Sequence, residues 1–559
     1  MGLNLDGKSF FVPGAFAVTK ILQLGGQNLP VFNVGVIIGK QMKGAPYTQG
    51  TGSTPAQTAD LFIQPYSDAN DLIADYGDEG DCDITAFFNQ AKKQGAGTVF
   101  VLGGAPTTKM SGGVVPNAEA VTAITVASRG FGAQFNDIQL TIAASVHTII
   151  PPKNVTFLSA DSGTGTTISV KNVKPYHVGE TIYLVDNAYA APVAKVIDGI
   201  DTLNSALTLH TAVAASALVA NYARIFQMDT DNQEVSGALT TVPAVQNFYA
   251  TSANLSAVCA AGISLMPVTL AATFVGDLTS AIKATSPAMT ATDWQAIAAA
   301  FPRWNEEFAI ANKFYMRVIG LVTSDAANQA SFSALAVSMR TNGRPVAIVT
   351  GAALSVADAS VPALTLALNS DDVQFAARGL DGVAAYKSLA GQLFGIRLAN
   401  SVAHNQTNDE IVCSTVEKAY SQLDAALTTL CNAGAVVPVM TKTGYKVSQG
   451  LTTYQDHSTT FNPASRKTYL VMCRDLADFS LRATLEVLDA QVGADGVTAP
   501  VLSAVVRQVL ETLKSDYGYI LDYKINRIYK QGNAFVVDRS VSIDTPTDFI
   551  GLIDTIIVS

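Results

Sequence analysis

Few residues of this chain stand at the spacings that catalysis or cofactor binding requires. The segment closest to a phosphate-binding loop is Gly35-Val-Ile-Ile-Gly39-Lys40. It has one residue too few between the glycines, and Gln41 follows the lysine where a phosphate loop has Ser or Thr to hold magnesium. We therefore expect no nucleotide to bind at this segment.

Metal and nucleophile sites are not indicated either. The histidines stand far apart, at His147, His177, His210, His404 and His457. None belongs to the short-spaced pairs that bind zinc, and no serine lies in a Gly-x-Ser-x-Gly elbow. The acidic segment Asp75–Asp83 lacks the alternating spacing of a calcium loop, so we interpret it as a solvated turn. We predict a protein that is not an enzyme and binds no cofactor or metal.

Composition points to extensive protein contacts. The chain has 559 residues, of which 48% are hydrophobic and only 14% are charged, and its mean hydropathy is +0.27. A soluble domain usually has about 25% charged residues, so the surface must be poor in charge. The most apolar stretches, such as Thr211–Ala223 and Val361–Leu368, are too short or too interrupted to span a membrane. Large protein interfaces remain as the explanation.

Charge, cysteine content and the first residues indicate which partners and which compartment to expect. The net charge is −10, and no run of Lys or Arg is present, which argues against binding nucleic acid. The five cysteines are scattered and odd in number, as suits a reducing compartment. The first residues have neither the basic nor the apolar region of an export signal, so we expect no export and no lipid anchor.

Apolar periodicity predicts an α/β start to the chain. Val31–Ile38 has the β-branched residues of a buried strand. Asp68 is placed to cap a helix over Ala69–Tyr76, and Asp83 to cap one over Ile84–Gln94. Thr98–Leu102 again resembles a buried strand, so the order is β-α-β.

Later segments alternate in character. Short strands separated by Gly, Asp and Asn turns predict a separate β domain from about 155 to 249. Helices and strands from 292 to about 379 predict a second α/β unit. We further expect helices over Asp409–Cys431, Leu476–Leu488 and Pro500–Asp516, and strands over Lys467–Cys473, Ile520–Tyr529 and Ala534–Ile543.

The two ends of the chain are its most informative segments. Gly2–Val18 is apolar and lacks helical periodicity, which indicates an extended arm. Phe549–Val558 would be a strand with two apolar faces, which needs cover on both sides. It is either the last strand of the chain's own core or a strand donated to the sheet of a neighbouring subunit.

The order of several short motifs resembles the tail-sheath family of contractile phage tails. The motifs are Val12-Pro13-Gly14-Ala15-Phe16, Ile84 to Phe88 with the strand to Leu102, Ala127 to Ile138, Gly450 to Thr453, Cys473-Arg474-Asp475 with Leu481-Arg482, and Asp538 to Ile543 before the terminal strand. The element at Ala127–Ile138 is similar to the family's Gly-x-x-Gly-Asn-Asp-Ile segment. Together these segments cover most of the two ends of the chain.

The resemblance implies a discontinuous α/β core built from both ends of the chain, with domains inserted between. The expected regions are an N-terminal arm (1–25), a first core segment (26–149), a β-rich insertion (150–250), an α/β insertion (251–383), a second core segment (384–544) and a C-terminal arm strand (545–559). The resemblance also implies that the arms complete the sheets of neighbouring subunits. The expected interface residues are Phe10, Phe11, Val12, Phe16, Phe549, Ile550, Leu552, Ile553, Ile556 and Val558.

The family's function would make this chain a structural subunit of stacked hexameric rings around a tail tube. Contraction of the rings would drive the tube through a host envelope without ATP, and the expected partners are further copies, the tube protein, baseplate proteins and tail terminator proteins. The resemblance places the protein in the virion, after assembly in the host cytoplasm, with no nucleic-acid or membrane partner. A surface-layer or adhesive protein is the main alternative, and an α/β metabolic enzyme is a second one.

Overall fold

The structure is a computed structural model of the chain. It describes residues 3–5, 8–10, 34–40, 63–79, 82–104, 112–116, 122–128, 137–186, 189, 191–219, 223–260, 269–274, 291–312, 314–353, 356–377, 389–412, 420–421, 424–454, 470–492, 497–531 and 534–543.

The described helices and strands are numbered here in chain order. The strands are β1 (Leu3–Leu5), β2 (Lys8–Phe10), β3 (Gly35–Lys40), β4 (Gln64–Tyr66), β5 (Val99–Gly104), β6 (Gly112–Pro116), β7 (Thr122–Ser128), β8 (Gln139–Ala143), β9 (Val146–Ile150), β10 (Pro152–Phe157), β11 (Thr167–Ser169), β12 (Thr181–Val185), β13 (Val193–Asp201), β14 (Ala206–Leu209), β15 (Arg224–Met228), β16 (Glu234–Ala238), β17 (Leu255–Cys259), β18 (Thr269–Phe274), β19 (Val318–Val322), β20 (Ala347–Gly351), β21 (Val373–Ala376), β22 (Glu410–Ile411), β23 (Ala435–Val436), β24 (Pro438–Thr441), β25 (Gly444–Val447), β26 (Asp522–Gln531) and β27 (Ala534–Ser542). The helices are α1 (Ala69–Tyr76), α2 (Asp83–Lys93), α3 (Val242–Thr251), α4 (Ala291–Asn312), α5 (Ala326–Thr341), α6 (Val361–Leu368), α7 (Leu389–Ala399), α8 (Ala425–Asn432), α9 (Val471–Asp489) and α10 (Ala499–Ser515).

A seven-stranded, mostly parallel sheet organises the largest unit, which we call the core unit. Its strand order is β23-β21-β20-β19-β3-β5-β4. Only β4 runs antiparallel, where it pairs with β5 at one edge. Val36, Ile37 and Ile38 of β3 have no exposed surface, as expected for a parallel strand covered on both faces. The predicted β-α-β start is confirmed by β3, α2 and β5.

Helices cover both faces of this sheet. On one face, α2 packs against α7, and the rings of Phe87 and Phe394 lie 5.5 Å apart. On the other face, α4 and α5 bury Trp304 and Phe332 against the strands. As predicted, the Asp68 side chain caps α1, accepting a hydrogen bond of 2.7 Å from the Asn70 amide. Asp83 instead lies inside the first turn of α2, and Cys82 holds the N-cap position.

The core sheet takes its strands from both sides of the β-rich region. β3 and β5 precede that region, whereas β19, β20 and β21 follow it. The predicted α/β insertion over 251–383 therefore has no sheet of its own among the described residues. A buried parallel strand has the same apolar sequence whether it extends an existing sheet or begins a new one, so periodicity does not distinguish the two cases.

The β-rich region consists of two nested units. The inner β unit, built from the described residues of 112–150 and 234–274, contains the sheets β6-β7-β17 and β16-β9-β8-β18 around one apolar cluster. The outer β unit, built from the described residues of 152–228, forms a six-stranded sheet with its own apolar cluster. The short strands that the sequence predicts between about 155 and 249 include β11, β12, β14 and β15 of this sheet. However, the described residues of 112–149, expected in the core, belong to the inner β unit.

Specific contacts join the three units. Arg224 of the outer unit forms a buried ion pair with Asp137 of the inner unit, with Nε–Oδ2 and Nη2–Oδ1 distances of 2.6 and 2.8 Å. The outer unit reaches the core unit at Asp78, whose carboxylate lies 3.6 Å from the Lys174 ammonium. The acidic turn predicted to be solvated therefore makes an interdomain contact as well.

Two predicted elements near the carboxyl end differ from the structure. The sequence predicts a strand over Lys467–Cys473, but Val471 begins α9 and Cys473 lies inside it. Short runs that are apolar on every side do not distinguish a buried helix from a buried strand. The sequence also predicts a helix over Asp409–Cys431, but Glu410–Ile411 pairs with β25, and only Ala425–Asn432 is helical among the described residues of this segment.

The helices and strands predicted beyond residue 475 are present as α9, α10, β26 and β27. Helices α9 and α10 pack together, and the hairpin β26-β27 lies against them. The sequence predicts a mixed α/β fold with additional β-rich sheets, and the structure confirms it.

Candidate assembly site

Most of the residues predicted to form subunit contacts lie outside the described residues. Phe10 ends β2, which pairs with β1 in a two-stranded sheet. The other nine, Phe11, Val12, Phe16, Phe549, Ile550, Leu552, Ile553, Ile556 and Val558, are not described. Their role in assembly stays a prediction.

The hairpin β26-β27 is an exposed sheet near the carboxyl end. Its strands pair antiparallel from Asp522 opposite Ser542 to Gln531 opposite Ala534. Tyr523 and Val537 on one face pack partly against α9 and α10. Within the described residues, no third strand pairs with either strand of the hairpin. Its outer edges therefore present backbone hydrogen-bonding groups that a further strand can use.

Positive charge is concentrated on the first strand of this hairpin. Lys524, Arg527 and Lys530 are all exposed. The Arg527 guanidinium lies 4.7 Å from the ring centre of Tyr529, and its Nε lies 3.6 Å from an Asp538 oxygen. In a chain with net charge −10, this strand is locally basic.

A buried ion cluster attaches the C-terminal helices to the core sheet. Arg317 directly precedes β19, Arg397 lies in α7 and Asp475 lies in α9; their exposed fractions are 2%, 5% and 4%. Asp475 Oδ1 lies 2.5 Å from Arg317 Nη2 in an ion pair. The Asp475 carboxylate also accepts a hydrogen bond of 2.9 Å from Arg397 Nε and contacts Arg397 Nη2. The Asp475 carboxylate of α9 therefore connects this helix to the start of β19 and to α7.

Charge balance keeps this cluster ionised. Burial alone would raise the pKa of the Asp475 carboxyl, but Arg317 and Arg397 outweigh burial and hold that pKa below its usual value. Burial lowers the pKa of Arg317 to about 10, which leaves the guanidinium charged at neutral pH. A carboxylate held between two arginines is suited to fixing an orientation, because it neither gives up nor accepts a proton near neutrality.

A second group of charges extends the cluster along α9. Arg474 contacts Asp478 one turn later in the same helix, and its Nη1 lies 3.2 Å from Asp371 Oδ2. Arg340 of α5 lies 2.9 Å from the other oxygen of Asp371 and also contacts Asp372, directly before β21. The first group, which includes Arg317 before β19, and the second group, which includes Asp372 before β21, therefore both lie at the amino ends of the parallel strands.

Two further contacts connect the hairpin and helix α9 to their surroundings. Arg539 of β27 donates from Nη1 to Ser480 Oγ of α9 at 2.8 Å, and burial lowers the pKa of Arg539 to about 10. The guanidinium groups of Arg344 and Arg482 lie 4.5 and 5.1 Å from the centre of the Tyr315 ring. The hairpin is thus joined to α9 through the partly buried Arg539.

The sequence resemblance includes some members of this cluster, namely Arg474, Asp475, Arg482 and Arg539. It misses the partners contributed by other elements: Arg317, Arg340, Asp371, Asp372, Arg397 and Asp478. One feature of the sequence could have predicted these buried ion pairs. Charged residues are scarce in this chain, so an arginine in an apolar run such as Tyr315-Met-Arg-Val-Ile319 requires a buried partner.

The segments weighed for catalytic chemistry have structural roles. Gly35 and Gly39 lie within β3, not in a loop. A Cβ at Gly35 would lie 2.7 Å from the Phe394 ring, and one at Gly39 would lie 2.5 Å from the Ile84 side chain. Their spacing allows the covering helices to approach the strand closely.

The described histidines make pairwise contacts. His147 is buried and shares a 3.0 Å hydrogen bond with the Tyr249 hydroxyl. His177, His210 and His404 each lie beside one carboxylate: Glu180, Asp198 and Asp409 respectively. His457 is not described. Among the residues that the structure describes, no group of three His, Cys, Asp or Glu residues is arranged to hold a metal ion, and no helix is long and apolar enough to cross a membrane.

Comparisons with known proteins give structural similarities only. No family model and no curated relative matches the sequence. The chain is similar to the sheath tail protein of Desulfitobacterium hafniense, with 12% identity, 95% of this chain and 100% of that chain covered, and a TM-score of 0.49. The Listeria innocua sheath tail protein gives 13% identity, coverages of 91% and 92%, and a TM-score of 0.49.

A sheath from a different kind of particle is also similar. The contracted helical sheath of the anti-feeding prophage has 15% identity, covers 48% of this chain and 76% of its own, and gives a TM-score of 0.36. These neighbours are sheath proteins of contractile tails and injection systems, the family that the sequence resemblance indicates. At these identities and TM-scores the similarity by itself assigns no function to this chain.

Proposed function

We propose that this chain is a structural subunit of a contractile tail sheath, which polymerises as stacked hexameric rings around a tail tube. The observation that carries this proposal is the hairpin β26-β27, a two-stranded sheet with exposed edges on a rigid, ion-paired base. In the assembled tail, contraction of the sheath drives the tube through the host envelope. The partners are other copies of the chain, the tube, the baseplate and the tail terminator.

The hairpin is the acceptor for the terminal arms of neighbouring subunits. A two-stranded sheet is only marginally stable in water, and added strands satisfy its edge groups. The arm residues near Phe10–Ala17 and Gly551–Val558 are apolar and terminal, so they can leave their own subunit without unravelling its core. Each added backbone hydrogen bond contributes about 0.5–1.5 kcal/mol.

Charge complementarity favours the C-terminal arm as one occupant. Residues 545–559 contain Asp548 and Asp554 and no Lys or Arg. The hairpin strand β26 carries Lys524, Arg527 and Lys530 on its accessible surface. Opposite charges on neighbouring strands stabilise pairing by about 0.2–1 kcal/mol per pair, whereas two basic strands side by side repel each other.

Contraction needs no nucleotide in this proposal. Heterologous contacts that do not close on themselves generate helical assemblies, and a lattice of identical contacts can switch between two packings. A difference of a few kcal/mol for each subunit, summed over many copies, exceeds the free energy of any single binding event. The segment that most resembles a phosphate loop is part of β3, and its glycines Gly35 and Gly39 leave room for the side chains of the covering helices.

Removal of Phe549–Ser559 tests the proposal. We expect the truncated protein to keep a cooperative melting transition but to run as a monomer and form no tubes by electron microscopy. Replacing Ile553 and Ile556 by Asp should have the same effect, because charge opposes insertion into a covered strand. The matched control replaces the same residues by Val and should assemble.

Two outcomes contradict the proposal in different ways. If the truncated protein unfolds, the terminal strand belongs to its own subunit's core, and strand donation fails at this end. If the full-length protein forms only discrete small oligomers under conditions that favour assembly, the sheath function itself is wrong.

A further inference from the structure

A histidine lies inside the apolar core of the inner β unit. His147 is on β9, where it and Ile149 alternate with half-buried residues, and its side chain has no exposed surface. Ile142 of β8 lies directly opposite it in the sheet. The rings of Phe248 and Tyr249 of α3 meet its ring edge-on, with centres 6.3 and 5.7 Å away. Such surroundings solvate a charged ring poorly.

The hydrogen bonds of this ring suit its neutral form. Nδ1 lies 3.0 Å from the Tyr249 hydroxyl oxygen. Nε2 is buried as well, and within the described residues it has no hydrogen-bond partner. A protonated imidazole has two N–H donors and a full positive charge. Protonation of His147 in this position would therefore bury both a donor without an acceptor and a cation.

Charged residues are almost absent around the ring. In the described strands and helix of the inner β unit, Glu234 at the start of β16 is the one Asp, Glu, Lys or Arg residue. One oxygen of its carboxylate accepts a 3.0 Å hydrogen bond from the Ala253 amide, so this oxygen faces the turn after α3. Asp137, which precedes β8, is paired with Arg224 of the outer β unit. No described carboxylate forms an ion pair with His147.

The other titratable groups near the ring are a phenol and a thiol. Burial raises the pKa of the Tyr249 hydroxyl, and the nearby Cys259 and Glu234 raise it further. Burial also raises the pKa of the Cys259 thiol. Both groups are therefore uncharged at neutral and at acidic pH, and neither supplies a counter-charge to a protonated His147.

Burial lowers the pKa of His147 from 6.5 to about 4. An exposed histidine takes up a proton as the pH falls through about 6.5, whereas this one does so only near 4. Between these two values the open form of the unit binds more protons than the closed form. The closed form therefore loses stability as the pH falls from 6.5 towards 4, and this contribution is constant above 6.5.

Helix α3 is the neighbour of His147 that can move most readily. β9 is hydrogen-bonded to β8 and β16 on its two sides, so exposing the ring from within the sheet would break strand pairing. By contrast, α3 covers the sheet with side chains, mainly Val245 and Tyr249. Water can reach His147 when this helix leaves the sheet, because its two aromatic rings cover the imidazole.

We propose that the inner β unit is an acid-sensitive device, in which α3 separates from the sheet when His147 takes up a proton. Separation gives the imidazolium water for both N–H groups and exposes the apolar cluster beneath the helix. The inference does not depend on the proposed sheath function, since every group in it belongs to the inner β unit of a single chain.

Hydrogen exchange of the full-length protein, read by mass spectrometry at pH 7 and pH 5, tests the inference. After correction for the intrinsic exchange rates, the opening equilibrium constant of Val242–Thr251 should be about twentyfold larger at pH 5, as follows from the two pKa values. This increase should disappear in His147→Gln. In NMR of the protein with ¹³C-labelled histidine, the signal lost in His147→Gln should keep the shift of a neutral ring at pH 5.

His210→Gln is the matched control. His210 is exposed and lies in the outer β unit beside Asp198, so α3 should open in this variant as in the wild type. Equal opening of wild-type α3 at the two pH values overturns the proposal, and so does an increase that persists in His147→Gln. If His147→Gln does not fold, His147→Phe replaces it, because an apolar ring suits the site, and the same outcomes decide the test.

Discussion

At the scale of single residues, the most consequential feature is the burial of charge in a chain that has little of it. Asp475 lies between Arg317 and Arg397, each almost fully buried. Burying an ion is costly unless its partner is held in good geometry, and removing one partner leaves the other uncompensated. Such a cluster fixes one orientation of the joined elements more than it adds stability.

The first prediction concerns this carboxylate. Asp475→Asn keeps the size of the side chain but leaves two buried arginines without their counter-charge. We expect a loss of about 3–5 kcal/mol in the free energy of unfolding, measured by urea denaturation. The control is Arg303→Gln, which breaks the exposed 2.8 Å pair with Glu307 in α4 and should cost about 0.3–0.5 kcal/mol. Equal losses in the two variants would contradict the assigned role.

The second prediction concerns the His404–Asp409 pair, joined at 2.7 Å from Nε2 to Oδ2. The hydrogen bond to Asp409 raises the pKa of His404 above its usual 6.5, although partial burial opposes the shift. A raised folded-state pKa means that the stabilisation is fully present below about 6.5 and is lost as pH rises through the folded-state value. His404→Gln should therefore destabilise the protein in mildly acidic buffer and little in mildly alkaline buffer.

The Asp409→Asn background provides the control for this effect. Without the carboxylate, the loss of stability caused by His404→Gln should no longer depend on pH in urea denaturation. A pH dependence that persists in that background would show that another group near His404 is responsible.

At the scale of elements, close helix packing beneath the core sheet depends on two glycines of α7. A Cβ at Gly391 would lie 2.6 Å from the Phe87 carbonyl oxygen, and one at Gly395 would lie 2.5 Å from that of Ala91. Both obstacles are backbone atoms of α2, which cannot rotate away. The spacing of four residues places the two glycines on one face of α7.

The third prediction follows from these distances. Gly395→Ala should destabilise the protein by about 1–3 kcal/mol, because α7 must move away from α2. Gly97→Ala is the control, since a Cβ there meets nothing within 4 Å and its φ is not positive. The control should remain within about 1 kcal/mol of the wild type. Thermal melting of both variants checks the difference, and a neutral Gly395→Ala would mean that the helices can separate freely.

At the scale of the whole molecule, the three units are nested along the chain. The outer β unit begins at Pro152 and ends at Met228, and these two residues pair directly in β10 and β15. The inner β unit surrounds it in sequence, and the core unit surrounds both. Adjacent ends allow a unit to be removed without stretching the remaining chain.

The fourth prediction uses this geometry. Replacing residues 153–227 with a short Gly/Ser joint should leave the rest of the chain folded and able to form tubes. The deletion removes Arg224, so Asp137 should also be changed to Asn to avoid an unpaired buried carboxylate. Size-exclusion chromatography and electron microscopy check the outcome. If neither folding nor tube formation survives, the outer unit is not an independent, peripheral insertion.

Features that depend on neighbouring residues could be predicted from the sequence. Apolar runs predicted the strands of the core sheet, alternation with turn residues predicted the β-rich region, and Asp68 predicted the start of α1. The low charge content indicated extensive protein contacts. These signals reside within a few residues of one another, because helix periodicity, strand alternation and capping are local properties.

The strands that share a sheet and the charged residues that pair became known only from the three-dimensional fold. Val318–Val322 pairs with Gly35–Lys40, although the chain makes two β units between them. Asp475 pairs with Arg317 and Arg397, which lie 158 and 78 residues earlier in the chain. Such partners are selected by burial and packing between distant segments, and no local pattern encodes that choice.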